Sequence, residues 1–483
     1  MPIRMDFRAV ILPIGRYLVI IAAFMLIPAA ADLVAGSSDW KVFGISALCL
    51  GAAGLMVEAA LAGKPPEMRA RETFLLVNLA WFTFSAAGAL PLYASGLNIS
   101  YGDAFFEAAS GLTTTGSTIL SGLDRLPPGI LLWRSLMQWI GGLGIVVIGI
   151  WLLPAMRVGG QQLFSIESSE KHHKPYGRVE HFVRRLLMLY LALTAACAGL
   201  YYAAGMTGFE AVNHAFTTIS TGGFSTRDAS MGGFDSLAID WIAIVFMAAA
   251  SLPFLFLINV TELRPNLEFQ QVRWFFVIIA FLTFTIFLSV RLTSGIGDFA
   301  QFTHAAFAVV SVVSTTGYAT QDYLLWGSFA ASFFFLITFI GGCNGSTAGG
   351  FKIFRIVILV SFIRARLRQA VRPNRVSPAY FEGQVVQPST IDSLLIFSIL
   401  YAVTAAGFAL IYAAFGLDFA TSMSASVTAL ANVGPGIGSV IGPAGNFAGM
   451  PEVVKWLLAF EMILGRLELL GGILILTPDF WRD

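Results

Sequence analysis

Gly111-Leu112-Thr113-Thr114-Thr115-Gly116-Ser117-Thr118 ends a short apolar segment on a glycine set among hydroxyl side chains, and the pattern returns three times. The later copies read Ser220-Thr221-Gly222-Gly223, Thr315-Thr316-Gly317-Tyr318 and Asn432-Val433-Gly434-Pro435. Spaced roughly 100 residues apart, they mark four tandem copies of one unit. Each closes an apolar stretch of about a dozen residues, too short to cross a bilayer: 101–112, 208–219, 301–313 and 418–430. Four equivalent loops in one polypeptide can ring a single axis. Glycine there permits backbone angles that turn carbonyl oxygens towards that axis, and rings of such carbonyls can replace the water shell of a potassium ion.

Composition sets the compartment. Of 483 residues, 57% are hydrophobic and 12% charged, and the mean hydropathy of +0.77 is that of an integral membrane protein. Apolar segments predict ten spanning helices, near 11–31, 40–62, 72–95, 130–153, 183–204, 239–260, 272–293, 325–363 (broken), 391–414 and 453–476. An even number puts both termini on one side, and assigning them to the cytoplasm leaves most of the 29 Lys and Arg inside. The first segment, preceded by arginines, is long for a signal peptide and is expected to be retained.

Acidic residues dominate the outer loops, among them Asp103, Glu107, Glu210, Asp298, Asp418 and Glu452, a charge pattern that concentrates cations at clefts. Cys49, Cys197 and Cys343 are scattered, and the adjacent His172 and His173 make a poor ligand pair, so neither a disulfide framework nor a bound metal cofactor is expected.

The unit is therefore a membrane helix, a half-helix, a glycine loop and a second membrane helix. The predicted fold is an all-α integral membrane protein of about ten transmembrane helices and four pore half-helices around a pseudo-fourfold pore. An amino-terminal helix pair occupies 1–65; the repeats occupy 66–160, 161–265, 266–375 and 376–483, and the third has a broken second helix. Irregular loops are tolerated at membrane depth where they line a cavity, and half-helix carboxy termini aimed at an axis favour a cation there. The expected ligands are backbone carbonyls of Thr114, Thr115 and Gly116, of Ser220, Thr221 and Gly222, of Thr315, Thr316 and Gly317, and of Asn432, Val433 and Gly434.

These motifs resemble the Trk/Ktr/HKT superfamily of potassium transporters, and within it the TrkH type, over nearly the whole chain. The stretch from Phe339 to Gly350, with its Gly-Gly-Cys-Asn-Gly-Ser-Thr-Ala-Gly-Gly core, carries the resemblance beside the glycine loops. It implies one filter glycine per repeat, a homodimer with one pore per subunit, potassium preferred over sodium, location in the bacterial inner membrane, and regulation by a cytosolic nucleotide-binding subunit of the TrkA type. It also implies that Gly341, Gly342, Asn344, Gly345, Ser346, Thr347, Gly349 and Gly350 form an intramembrane gate loop beneath the filter. Five glycines there should in any case break a helix, at about 1 kcal/mol each relative to alanine.

Two cations adjoin this region. Arg466 lies near the middle of the last predicted span, where an unpaired charge is expensive. It forms a barrier beside the cation path, makes a salt bridge to Glu461 or Glu468, or does both. Lys352, at the inner end of the glycine segment, is a second gate candidate, with snorkelling to the membrane surface as the plainer reading. Beyond it, Arg364, Arg366, Arg368, Arg372 and Arg375 make the most basic stretch. Orientation and anionic lipid account for that stretch, and the resemblance adds docking of the regulator.

Two other functional classes compete. A proton- or sodium-coupled symporter with discontinuous helices also places breaks at mid-membrane, usually in inverted repeats, whereas these units all run in one sense. An intramembrane enzyme needs a nucleophile and base or paired acids within the spans, and no such set is evident. No phosphate-binding GxxxxGKS motif occurs, so nucleotide would act through a partner. No organic cofactor and no nucleic acid are expected; membrane lipids and potassium, the substrate, are.

Overall fold

The computed structural model describes residues 5–63, 68–152, 175–262, 269–294, 298–374, 376–438 and 440–482. The candidate histidines His172 and His173, and Arg375, lie outside them.

The chain opens with a helical hairpin, α1 (Arg8–Ala35) and α2 (Trp40–Ala60), followed by α3 (Ala70–Ala94), the half-helix α4 (Tyr101–Leu112) and α5 (Pro128–Leu152). Next come α6 (Pro175–Ala203), the half-helix α7 (Gly208–Ile219), α8 (Leu237–Ala250) and α9 (Phe254–Thr261). The third series is α10 (Gln270–Ser294), the half-helix α11 (Phe299–Val313), α12 (Ser328–Ile337) and α13 (Ile353–Val371). A two-stranded antiparallel hairpin, β1 (Tyr380–Phe381) with β2 (Gln384–Val385), precedes α14 (Pro388–Ala414), the half-helix α15 (Phe419–Ala431), α16 (Glu452–Arg466), α17 (Leu470–Leu476) and α18 (Pro478–Trp481). That hairpin is the departure from an all-α chain.

Among the described residues seven helices are long and apolar enough to cross a bilayer singly. The other three predicted spans are interrupted. At 239–260, α8 and α9 meet at 103°. Pro253 begins α9 and cannot donate to the preceding turn, so carbonyls at the end of α8 are released. The span at 325–363 divides into α12 and α13 around 338–352, as its glycines predict. The last span, 453–476, breaks at Glu468 and Leu469, both with positive φ, 56° and 55°. That break has no glycine or proline to announce it.

Each half-helix starts on a side-chain cap. Ser100 and Thr207 accept from Asp103 N and Glu210 N in full capping boxes, and Asp298 and Asp418 accept from Gln301 N and Thr421 N. The caps satisfy amides that open a helix too short to persist alone in water, and burial does the rest. Phe106, Ala108 and Ala109 of α4 and Ala425 and Val427 of α15 are fully buried. Large exposed apolar side chains lie instead on the outer helices, such as Ile45 and Leu48 on α2, Phe281 and Phe284 on α10, and Ile399 and Val403 on α14. Apolar exterior and polar loop interior together are the arrangement a bilayer demands.

Candidate functional site: a ring of four glycine loops

The four half-helices end in one backbone conformation. Thr114, Thr221, Thr315 and Asn432 are left-handed, with φ of 56°, 52°, 58° and 55°. Two residues on, Gly116, Gly223, Gly317 and Gly434 again have positive φ, at 83°, 79°, 81° and 106°. Side chains in the left-handed region cost roughly 1–2 kcal/mol each, least for asparagine, so four such residues mark a structure held by its surroundings.

This geometry corrects the register of the second loop. The counterpart of Gly116 is Gly223, and Gly222 takes the place of Thr115, Thr316 and Val433. Ser220 consequently corresponds to Thr113 and Ser314, the residues that end their half-helices. A Cβ at Gly222 would fall on the Gln138 side chain. Gln138 from α5 thus occupies the space that a side chain fills in the other loops. Its Nε2 donates to the Gly222 carbonyl at 2.6 Å, and its Oε1 accepts from Phe224 N at 3.0 Å.

The loops close on one another. A Cβ on Gly116 would meet the Gly222 carbonyl oxygen, one on Gly223 that of Thr316, one on Gly317 that of Val433, and one on Gly434 that of Thr115, every approach under 3.0 Å. Each glycine is therefore obligatory for close approach as well as for φ, and the contacts run from the first loop to the fourth and back to the first. Side chains reinforce the closure: Asn432 Nδ2 donates to Thr115 Oγ1 at 3.0 Å and to the Met462 carbonyl at 2.9 Å. Ser117 Oγ donates to the Gly434 carbonyl at 3.0 Å.

A buried ion pair braces the first two loops. Arg134 Nε donates to Glu107 Oε1 at 2.7 Å, with both side chains essentially inaccessible. Arg134 also reaches the Ser225 carbonyl at 3.1 Å and lies over the Phe224 ring at 4.1 Å, while Glu107 accepts from Ile119 N at 2.9 Å. The sequence places Glu107 among the acidic residues of the outer loops. Its partner is 27 residues away on α5, and nothing local signals the pairing. Asp103 and Glu210 are likewise engaged, with Lys455 and Arg227, and Asp298 and Asp418 are helix caps. Asp103, Glu107, Glu210, Asp298 and Asp418 thus hold structural contacts.

Residues 338–352 lie directly against the loop ring. Gly349 N donates to Thr315 Oγ1 at 2.8 Å, and Thr347 Oγ1 is 3.2 Å from the Ile219 carbonyl and 3.3 Å from Thr221 Oγ1. A Cβ on Gly349 would collide with the Ala431 carbonyl. The α8–α9 bend supplies the opposite wall, where the released Ser251 carbonyl accepts from Cys343 N at 2.9 Å and that of Ala250 lies 3.1 Å from Thr347 Oγ1. Asn344 N donates to Gln271 Oε1 at 3.0 Å, and Ser346 Oγ to the Cys343 carbonyl at 2.7 Å. Gly341 N pairs with the Phe351 carbonyl at 3.1 Å, and Gly342 accepts from Ile353 N. Gly345 accepts from Phe254 N at 2.9 Å, and Gly350, φ 71°, turns the chain back.

Both candidate cations differ from expectation in their partners. Arg466 Nη1 donates to the Thr347 carbonyl at 2.9 Å, while its Nε and Nη2 have no hydrogen-bond partner among the described residues. The carboxylates proposed for it are committed elsewhere: Glu468 pairs with Arg355 at 2.7 Å, and Glu461 accepts from Tyr412 Oη at 2.7 Å and from Ser426. Lys352 does not snorkel; it is 8% exposed and its Nζ donates back to the Ala348 carbonyl. Cys49, Cys197 and Cys343 form no disulfide among the described residues, which also hold no cluster of three or more His, Cys, Asp or Glu suited to a metal.

An apolar shell around four capped half-helices, whose loops close into a ring, defines a multi-pass membrane protein whose spanning segments are all helical. Residues 43–478 match the TrkH family, described as cation transport protein, and the chain belongs to that family, which is one of transporters and not of enzymes. It is 40% identical to the Trk system potassium uptake protein TrkI of Halomonas elongata, over 96% of this chain and 95% of that protein. It is 34% identical to the Trk system potassium uptake protein TrkH of Escherichia coli K12, over 99% of this chain and 100% of that protein. The crystal structure of the potassium transporter TrkH from Vibrio parahaemolyticus superposes with a TM-score of 0.91 at 35% identity, covering 99% of this chain and 100% of that one.

Proposed function

We propose that this protein takes up potassium across the bacterial inner membrane through a filter built from one glycine loop per repeat. The observation that carries this reading is the closed ring, in which each of Gly116, Gly223, Gly317 and Gly434 packs against a carbonyl of the next loop. The ligands are backbone carbonyls of residues 114–116, 221–223, 315–317 and 432–434, with Ser220 dropping out once Gly223 is in register. The names of the relatives support potassium as the cargo.

The repeats comprise 66–160, 161–265, 266–375 and 376–483 behind the helix pair 1–65. Counting each interrupted span once gives ten crossings, with both termini cytoplasmic. Residues 338–352 form the gate, latched by Arg466 and Lys352. The protein works as a homodimer under a cytosolic nucleotide-binding subunit.

Growth tests the reading. In a bacterial strain stripped of its potassium-uptake systems, expression of this chain with its regulatory subunit should restore growth in limiting potassium, and Gly317→Asp should not. Equal failure of the wild type, with the protein present in the membrane, would refute it.

A further inference from the structure

A groove of 360 Å³ opens between α10, α13 and the β-hairpin, at the ends of the helices away from the loop ring. Its wall is apolar, formed by Trp274, Ile278, Ile356 and Val360, and its mouth carries Arg364 and Arg368. The two arginines, four apart, share one face of α13. Both are exposed, and neither guanidinium has an ion pair or hydrogen bond among the described residues. From Ile356 to Arg364 the helix rises about 12 Å, the distance from upper acyl chain to headgroup at a membrane surface.

We infer that this groove seats an anionic phospholipid, with its phosphate on Arg364 and Arg368 and its upper acyl chains along Trp274, Ile278 and Val360, and that occupancy biases the gate. An apolar wall meeting two unpaired cations at the cytoplasmic end of the spans is complementary to an anionic lipid, whereas a zwitterionic one leaves the arginines half neutralised. The groove adjoins the gate on two sides. Its α13 begins at Ile353, directly after the gate loop. Gln270, part of its lining, exchanges hydrogen bonds with Glu382 at 2.9 Å each way, and the next residue, Gln271, holds Asn344 of the loop at 3.0 Å. A lipid wedged between α10 and α13 thus sets their spacing where the loop is anchored.

The gating half of this proposal rests on the proposed transport function; the binding half does not, and the test separates them. Purified protein is reconstituted in phosphatidylcholine vesicles with brominated phosphatidylglycerol, and groove occupancy is read as the fluorescence quenching that Trp274→Phe removes. The wild type and Arg364→Lys/Arg368→Lys should show this quenching, and Arg364→Gln/Arg368→Gln should need about tenfold more phosphatidylglycerol or lose it. Equal quenching in all three overturns the site. Rubidium flux in the same vesicles should change with phosphatidylglycerol in the wild type and the Lys pair, and not in the Gln pair. Flux in the wild type that ignores phosphatidylglycerol while quenching persists overturns the bias on the gate. Absence of flux in every lipid refutes the transport reading and with it the gating half, and leaves the lipid site standing on the quenching.

Discussion

Arg466 Nη1 sits 2.9 Å from the carbonyl oxygen of Thr347, a residue 119 positions earlier, and so ties the end of α16 to the loop beneath the glycine ring. Thr347 in turn reaches Ile219 and Thr221, so one side chain from the last predicted span reports directly to the base of the second loop. A charge-assisted hydrogen bond of this kind contributes about 1.5–3 kcal/mol. Arg466→Ala should therefore raise rubidium flux through the reconstituted chain about tenfold or more. Unchanged or reduced flux in protein that remains monodisperse would remove Arg466 from the gate.

The register of the second loop is open to a paired test. Gly222→Ala should lower selectivity by displacing Gln138, and Gln138→Ala in the same chain should recover part of it by vacating that space. Gly223→Ala should lose potassium preference about tenfold or more with no recovery from Gln138→Ala, because its Cβ strikes the Thr316 carbonyl at a φ of 79°. The readout is the rubidium to sodium flux ratio. Identical behaviour of the two glycine variants towards Gln138→Ala contradicts the assignment.

Breaking the brace between the first two loops should be severe. Arg134→Met leaves the fully buried Glu107 charged and unpaired, a loss of about 3–5 kcal/mol. Detergent-solubilised Arg134→Met should melt well below the wild type, and Glu107→Gln/Arg134→Met should recover part of the difference. A thermal midpoint unmoved by Arg134→Met would show that the pair contributes nothing.

Asp32 provides a milder case. Its Oδ1, on α1, accepts from Gly129 N in the first turn of α5 at 2.7 Å, capping that helix from a different one. Asp32→Ala should destabilise the protein by about 1–2 kcal/mol and leave the rubidium to sodium ratio unchanged, since the contact joins α1 to α5 and involves no loop residue. A changed ratio would mean that the amino-terminal hairpin shapes the filter.

The sequence carries the half-helices plainly because their caps and lengths are local properties: Ser100, Thr207, Asp298 and Asp418 each precede a dozen or so apolar residues and a glycine loop. Register at Gly222-Gly223 is not local. Two adjacent glycines are chemically alike, and only φ and the presence of Gln138, 84 residues away, distinguish them. The break at Glu468-Leu469 is hidden for a similar reason. Neither residue is a helix breaker, and the turn depends on tertiary contacts such as Arg355 on Glu468. Arg466 drew attention as a charge in an apolar run, yet its partner is a backbone carbonyl, which composition cannot reveal. The arginine pairs of Glu107 and Glu210 escaped notice because an acidic residue in an outer loop reads as solvated until its partner is placed.

The most direct measurement is rubidium-86 uptake into liposomes containing the purified chain, driven by an outward potassium gradient without a proton gradient and challenged with external sodium or potassium. Uptake that excess potassium suppresses and excess sodium does not, and that Gly223→Ala renders unselective, is the predicted result. Uptake suppressed equally by both ions, or selectivity indifferent to Gly223→Ala, would contradict a potassium filter made from the four-glycine ring.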